Sequence, residues 1–125
     1  MNQTRPVLIV DDEPMNLAAM RQVLEDDYPL AFANGGLVAL EAARRLRPAL
    51  VLLDIEMPDM DGHEVCRQLK ADPQLAHIPV VFVTAKDDSA DLDSGLRLGA
   101  AAYLHKPLEP EKVLTCVRAH QLTTP

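Results

Sequence analysis

Five short apolar runs punctuate the chain: Val7–Val10, Leu30–Ala33, Leu50–Leu53, Val80–Val83 and Ala101–Leu104. Each is too short for a stable helix, and most are β-branched or Leu-rich, as strands buried on both faces should be. Between them the apolar residues recur at helical spacing. Leu17, Met20 and Leu24 fall at i, i+3, i+7, and Leu40, Ala43 and Leu46 at i, i+3, i+6. Val65 and Leu69, Leu92 and Leu96, and Val113 and Val117 are four apart. Two hydrophobic periods alternating in this way predict strand and helix in strict succession, (βα)5.

Parallel strands joined by helices need right-handed crossovers with helices on both faces, which makes an α/β, doubly wound five-stranded parallel sheet. Pro29 cannot donate to a ladder, so the second strand belongs at an edge. The flavodoxin-like order 2-1-3-4-5 puts it there and directs function to the carboxyl ends of strands 1 and 3, where the strand order switches. Local punctuation agrees. Pro14 suits a first helical turn, Asn34 before Gly35-Gly36 reads as an N-cap, and Gly99 as a helix stop. Asp61 with Glu64 reads as a capping box.

With 125 residues and no linker, repeat or low-complexity tract, the chain is expected to be one domain over 1–125. Its 19 acids against 12 Lys and Arg give a net charge of −7, which argues against direct nucleic-acid binding by this domain. No apolar run approaches membrane-spanning length, and the N-terminus does not read as a signal peptide. A cytoplasmic protein with no membrane contact is expected, with Cys66 and Cys116 as buried thiols. Helices 1 and 5 on one face and 2, 3 and 4 on the other would put these two cysteines on opposite sides, beyond reach of a disulfide.

The strand ends carry the chemistry. Strand 1 runs into Asp11-Asp12-Glu13, strand 3 into Asp54, strand 4 into Thr84-Ala85-Lys86 and strand 5 into His105-Lys106-Pro107. Asp11, Asp12 and Asp54 crowded together would raise one another's pKa unless a cation compensates them. Oxygen donors without His or Cys suit a hard divalent ion, Mg²⁺ above all, with Mn²⁺ as a substitute. Lys106 brings a second positive charge and Thr84 a hydroxyl. Such a set is suited to gripping phosphoryl oxygens, with Asp54 as the nucleophile.

At this point the sequence resembles the response-regulator receiver domains of two-component signalling, the CheY-like family. The resemblance rests on VLIVDDEP (Val7–Pro14), VLLDIEMPDMDG (Val51–Gly62), VVFVTA (Val80–Ala85) and GAAAYLHKP (Gly99–Pro107). It implies a phosphorylation-activated switch that takes a phosphoryl group on Asp54 from a histidine kinase or histidine phosphotransfer protein, with Mg²⁺ required. Asp12 is then a direct metal ligand, Asp11 acts largely through water, and Asp54 and the backbone carbonyl of Glu56 complete the protein's share. Thr84 and Lys106 engage phosphoryl oxygens, and Tyr103 is the aromatic that moves inward on activation. The Lys106-Pro107 bond resembles one that is cis in the family. Partners, including a second copy in a homodimer, would read the face formed by the fourth helix, fifth strand and fifth helix. Ala100-Ala101-Ala102 departs from the polar residue often found before the aromatic, which touches that face and not the chemistry.

Plainer readings apply to the remaining residues. Asp59-Met60-Asp61-Gly62 imitates part of a calcium loop, but with Gly62 at position six the first and twelfth positions are Met57 and Gln68, so calcium-hand function is rejected. Asp59 is expected to be a solvated loop acid and Asp61 a helix cap. His63, His77, His105 and His120 are scattered and suit surface or packing roles. Lys86 is by default a surface lysine. A sharper expectation has Lys86 and Glu56 approaching across the site mouth to hinder hydrolytic water. The alternative activity is an aspartyl-phosphate-forming phosphohydrolase, which usually has a second aspartate two residues after the nucleophile, where this chain has Glu56. A degenerate, purely protein-binding receiver is disfavoured by the intact acidic set. The chain reads either as a stand-alone domain or as the front of a longer regulator, and ADPQLAHIPVVFVTA and CVRAH resemble receivers joined to cyclic-dinucleotide enzymes.

Overall fold

The structure, a computed structural model, describes residues 5–85 and 96–121. Its strands are β1 (Val7–Val10), β2 (Leu30–Ala33), β3 (Leu50–Asp54), β4 (Val80–Thr84) and β5 (Ala102–His105). The described helices are α1 (Pro14–Leu24), α2 (Gly36–Leu46), α3 (Gly62–Ala71) and the last helix, α4 (Pro110–His120). The strands form one parallel sheet in the order β2-β1-β3-β4-β5, with the Pro29-led strand at an edge as the ladder argument requires. The crossover expected between β4 and β5 lies mostly outside the described residues. Its end is visible: Leu96 and Arg97 are helical, and Gly99 stops the chain at φ 101°, its N–H donating to the Leu96 carbonyl at 3.0 Å.

Alternation along each strand divides the interior into two cores. Leu8, Val10, Val51, Leu53, Val80 and Phe82 pack against Ala39, Leu40, Ala43, Val65 and Leu69 of α2 and α3. Val7, Ile9, Leu50, Leu52, Val81 and Val83 face Met20 and Leu24 of α1 and Val113 and Val117 of α4. Burial on both faces holds for β1, β3 and β4 but not for the two edges. In β2, Phe32 is exposed, and in β5 only Leu104 is buried. An edge strand has a neighbour on one side only, so its cover is thinner. Cys66 belongs to the first core and Cys116 packs against the second, both as free thiols, with Cys116 half-buried instead of buried.

Besides the Gly99 stop, two expectations about helix ends hold and two are overturned. Pro14 opens α1, and Asp61 caps α3 by accepting from Glu64 N–H at 2.9 Å. The Glu64 carboxylate does not return to close a capping box among the described contacts; it binds Arg67 and Gln68. The α2 cap is not Asn34. Gly35 occupies that position and has no side chain to offer. Asp59, expected to be merely solvated, does the work from 22 and 23 residues away. Its Oδ1 accepts from Gly36 N–H at 3.1 Å and its Oδ2 from Leu37 N–H at 3.2 Å. A two-residue glycine entrance leaves room for an acid from another loop, which local spacing does not reveal.

Phe82 is fully buried in the first core, with the His63 ring edge-on and the Tyr103 ring tilted against it, at centroid distances of 5.2 Å and 5.5 Å. Truncation to Phe82→Ala removes the wall these rings share. It is expected to lower unfolding stability by about 3–5 kcal/mol, read as a reduced urea midpoint with an unchanged slope. A loss below about 1 kcal/mol would mean that the core closes over the gap.

Candidate functional site

The parallel register brings four strand ends together. Asp54 is the last residue of β3 and lies opposite Val83 of β4, and Thr84 lies opposite His105 of β5. Backbone hydrogen bonds extend the sheet beyond the strands. Asp11 N–H donates to the Ala33 carbonyl (3.1 Å), Ile55 N–H to Val83 (3.3 Å) and Lys106 N–H to Thr84 (2.8 Å). Each residue of interest therefore leaves its strand already fixed to a neighbour. Asp11, Asp54 and Thr84 are buried, and Asp12 is half-buried.

Asp11, Asp12 and Asp54 each present a carboxylate oxygen, and the three lie within 4.8 Å of one another. The Lys106 ammonium bridges two of them, at 3.3 Å from Asp11 Oδ2 and 3.4 Å from Asp54 Oδ1. Both distances exceed the 2.7–2.9 Å of a tight charge-assisted bond, so the lysine neutralises the pair without locking either acid. Asp11 has a further duty that spacing does not disclose: its Oδ1 accepts from Glu13 N–H at 2.9 Å and braces the turn carrying Asp12.

Electrostatics follow from this crowding. Burial pushes the Asp54 carboxyl up from 3.8 to about 6, and the charge of Asp11 adds to the rise. Lys106 and a backbone hydrogen bond from Glu56 work the other way. Burial pulls the Lys106 ammonium down, but the charges of Asp54 and Asp11 outweigh it and hold it above its ordinary value. Among the described residues, one ammonium stands against three carboxylates, which makes the hollow negative and lined by oxygen donors. That donor set fits a hard divalent cation, which would remove the remaining repulsion.

The other expected site residues are accounted for as follows. The Glu56 side chain is exposed, two positions past Asp54. Lys86 lies outside the described residues, so the approach expected between Lys86 and Glu56 has no geometry here. Tyr103 is half-buried against the α2/α3 core, behind the strand that ends at Thr84. Lys106-Pro107 is cis. Gly62 was legible only as the end of a motif, yet it is a close-approach position. Its N–H donates to the Ile55 carbonyl at 2.7 Å, and a Cβ there would lie 2.5 Å from the Asp54 carbonyl oxygen.

An acid whose folded pKa lies above its unfolded value favours folding while protonated. For Asp54 that contribution is complete below pH 3.8 and is lost as pH rises through about 6. In metal-free buffer, Asp54→Asn is expected to stabilise the protein at pH 7 by about 1–2 kcal/mol, with the advantage gone near pH 4. Thermal midpoints across pH measure this. Equal midpoints for both proteins at pH 7 would contradict the crowding described above.

Comparison with known proteins agrees with the geometry. The family model of the response regulator receiver domain matches residues 7–118. A Vibrio cholerae protein named as a probable cyclic di-GMP phosphodiesterase is 44% identical over 114 residues, which cover 91% of this chain and 26% of that protein. The DNA-binding response regulator MtrA of Mycolicibacterium smegmatis is 42% identical over 90% of this chain and 49% of its own length. The chain therefore spans between about a quarter and a half of these relatives. The crystal structure of Vibrio cholerae chemotaxis protein CheY4 superimposes with a TM-score of 0.89 at 27% identity, covering 94% of this chain and 99% of that one. By sequence, topology and the acidic crevice at the ends of β1 and β3, the chain belongs to the response regulator receiver domain family.

Proposed function

We propose that the protein is a phosphorylation-controlled switch in which Asp54 is the phosphoacceptor. The observation that carries this reading is the meeting of the Asp11, Asp12 and Asp54 carboxylates within 4.8 Å, with Lys106 at 3.4 Å from Asp54. A carboxylate oxygen of Asp54 attacks the phosphorus of a phosphohistidine on a histidine kinase or phosphotransfer protein. The phosphorus–nitrogen bond breaks, its electron pair returns to the imidazole, and an acyl phosphate remains on Asp54. Lys106 pairs with one phosphoryl oxygen and Thr84 donates its hydroxyl to another. Asp12 and Asp54 would hold Mg²⁺ or Mn²⁺ directly, with Asp11 acting through water and Glu56 lending its backbone carbonyl. Such a cation would supply charge neutralisation at the phosphoryl oxygens.

Phosphorylation adds about −1.5 to −2 of charge at the end of β3. Thr84 is drawn toward it, and Tyr103, on the next strand, follows. That rearranges the face made by β5, α4 and the preceding crossover, where partners or a second copy dock. The shift is a change of population between two states biased by a local charge. Turnover of an external substrate is not expected of this domain. The acid two residues after the nucleophile is the exposed Glu56, which weakens the phosphohydrolase alternative. The net charge of −7 supports a domain that leaves nucleic acid to others. No helix among the described residues is long and apolar enough to cross a membrane, in keeping with a cytoplasmic setting. Residues 1–125 act as one input domain. The kinds of relative, one a probable cyclic di-GMP phosphodiesterase and one a DNA-binding response regulator, support an output carried by a separate segment or partner.

Incubation with acetyl phosphate and Mg²⁺ is expected to add one phosphoryl group by intact mass. Asp54→Asn or excess EDTA should abolish it, and p-nitrophenyl phosphate should not be turned over. Beryllofluoride with Mg²⁺ should shift the amide signals of Thr84 and Tyr103. Phosphoryl incorporation that survives Asp54→Asn would remove the assignment, and silent Thr84 and Tyr103 signals at saturation would remove the switch.

A further inference from the structure

The loop between β3 and α3, residues 55–61, is fastened at two points that the phosphoryl chemistry does not use. At its far end, Gly62 N–H returns to the Ile55 carbonyl at 2.7 Å, so the loop closes on its own beginning. At its side, Asp59 spans the first two N–H groups of α2, at 3.1 Å to Gly36 and 3.2 Å to Leu37. The two glycines permit this approach. A Cβ on Gly35 would lie 3.0 Å from Asp59 Oδ2, and one on Gly36 would lie 2.7 Å from Met60 Cβ. The helix gains the acceptors its own N-cap lacks, and the loop gains an anchor on a rigid element. The same two hydrogen bonds hold the Asp59 carboxyl below its ordinary value, so it is ionised at neutral pH. Glu56 lies in the chain between Asp54 and this anchor.

We propose that Asp59 is a positioning residue for the cation site. By fastening the loop to α2, it holds the Glu56 backbone where its carbonyl joins the carboxylates of Asp12 and Asp54. This rests on the reading of those residues as a Mg²⁺ site. Groups that orient a metal ligand without touching the metal commonly change affinity by ten- to a hundred-fold. A residue that merely stabilised α2 would behave differently: its loss would lower thermal stability and leave cation affinity alone.

Mg²⁺ titration of the unphosphorylated protein, followed by amide NMR, separates the two. Asp59→Ala is expected to weaken Mg²⁺ binding about tenfold and to move the Glu56 amide signal before any metal is added. Asp59→Asn, which keeps one acceptor, should lose less. Gly35→Ala crowds the Asp59 carboxylate from the helix side while leaving the loop's own sequence unchanged, and should weaken binding in the same direction. Combined with Asp59→Ala it should add nothing, because both act through one contact. If Asp59→Ala does not fold, Asp59→Asn and Gly35→Ala carry the test. Wild-type affinity in the folded variants, or fully additive losses, overturns the proposal while the cation site stands. Wild-type protein indifferent to Mg²⁺ overturns the reading of the site, and this proposal with it.

Discussion

Repulsion among Asp11, Asp12 and Asp54 is the constraint to which the rest of the structure answers. Three carboxylates within 4.8 Å, two of them buried, oppose folding, and Asp54 records the opposition in a pKa near 6. The sheet supplies the compensation from its far side: Lys106 leaves β5 and reaches across to two of the acids. Lysine suits this position as a compact charge on a flexible stem, attracting both partners without fixing either in a bidentate fork. The residual negative charge is what suits the hollow to a hard cation, at a local cost in stability.

Such a cluster is tolerable only on a scaffold that does not yield. Parallel strands β1, β3 and β4 are buried along their whole length, and their hydrogen bonding continues past the strand ends into Asp11, Ile55 and Lys106. The reactive groups are therefore extensions of the ladder and not tips of free loops. Tyr103 stands on a half-covered edge, where a change of rotamer disturbs fewer neighbours. In the proposed switch, the rigid centre would hold the chemistry and the looser margin would report it.

Strand positions, strand order, the edge location of β2, the Asp61 cap and the convergence at the strand ends were all legible in the residues. Each depends on a short-range pattern or on a rule of connection. Strand limits slipped by one residue, as in β5, because Ala101 and Ala102 carry little hydrophobic contrast. What escaped was long-range. Asp59 looked solvated because the helix start nearest to it is already capped by Asp61, while its partners on α2 lie 22 and 23 residues back. The bracing of Glu13 by Asp11 escaped for a different reason, since a residue already assigned one task gives no sign of a second. Gly62 declared itself as a turn residue, but only coordinates reveal how near the Asp54 carbonyl runs.

The division of the interior into two cores has a consequence for how such a chain can change. The side chains above and below the sheet share only backbone, so the sheet works as a partition. Replacing residues on α1 and α4 remodels one surface while the packing behind α2 and α3 is left alone, and the reverse holds equally. The acidic crevice opens at the rim where the two compartments meet, and it draws on the backbone they have in common. Exposed surfaces can therefore drift on either side, each at its own pace, around a crevice that belongs to neither.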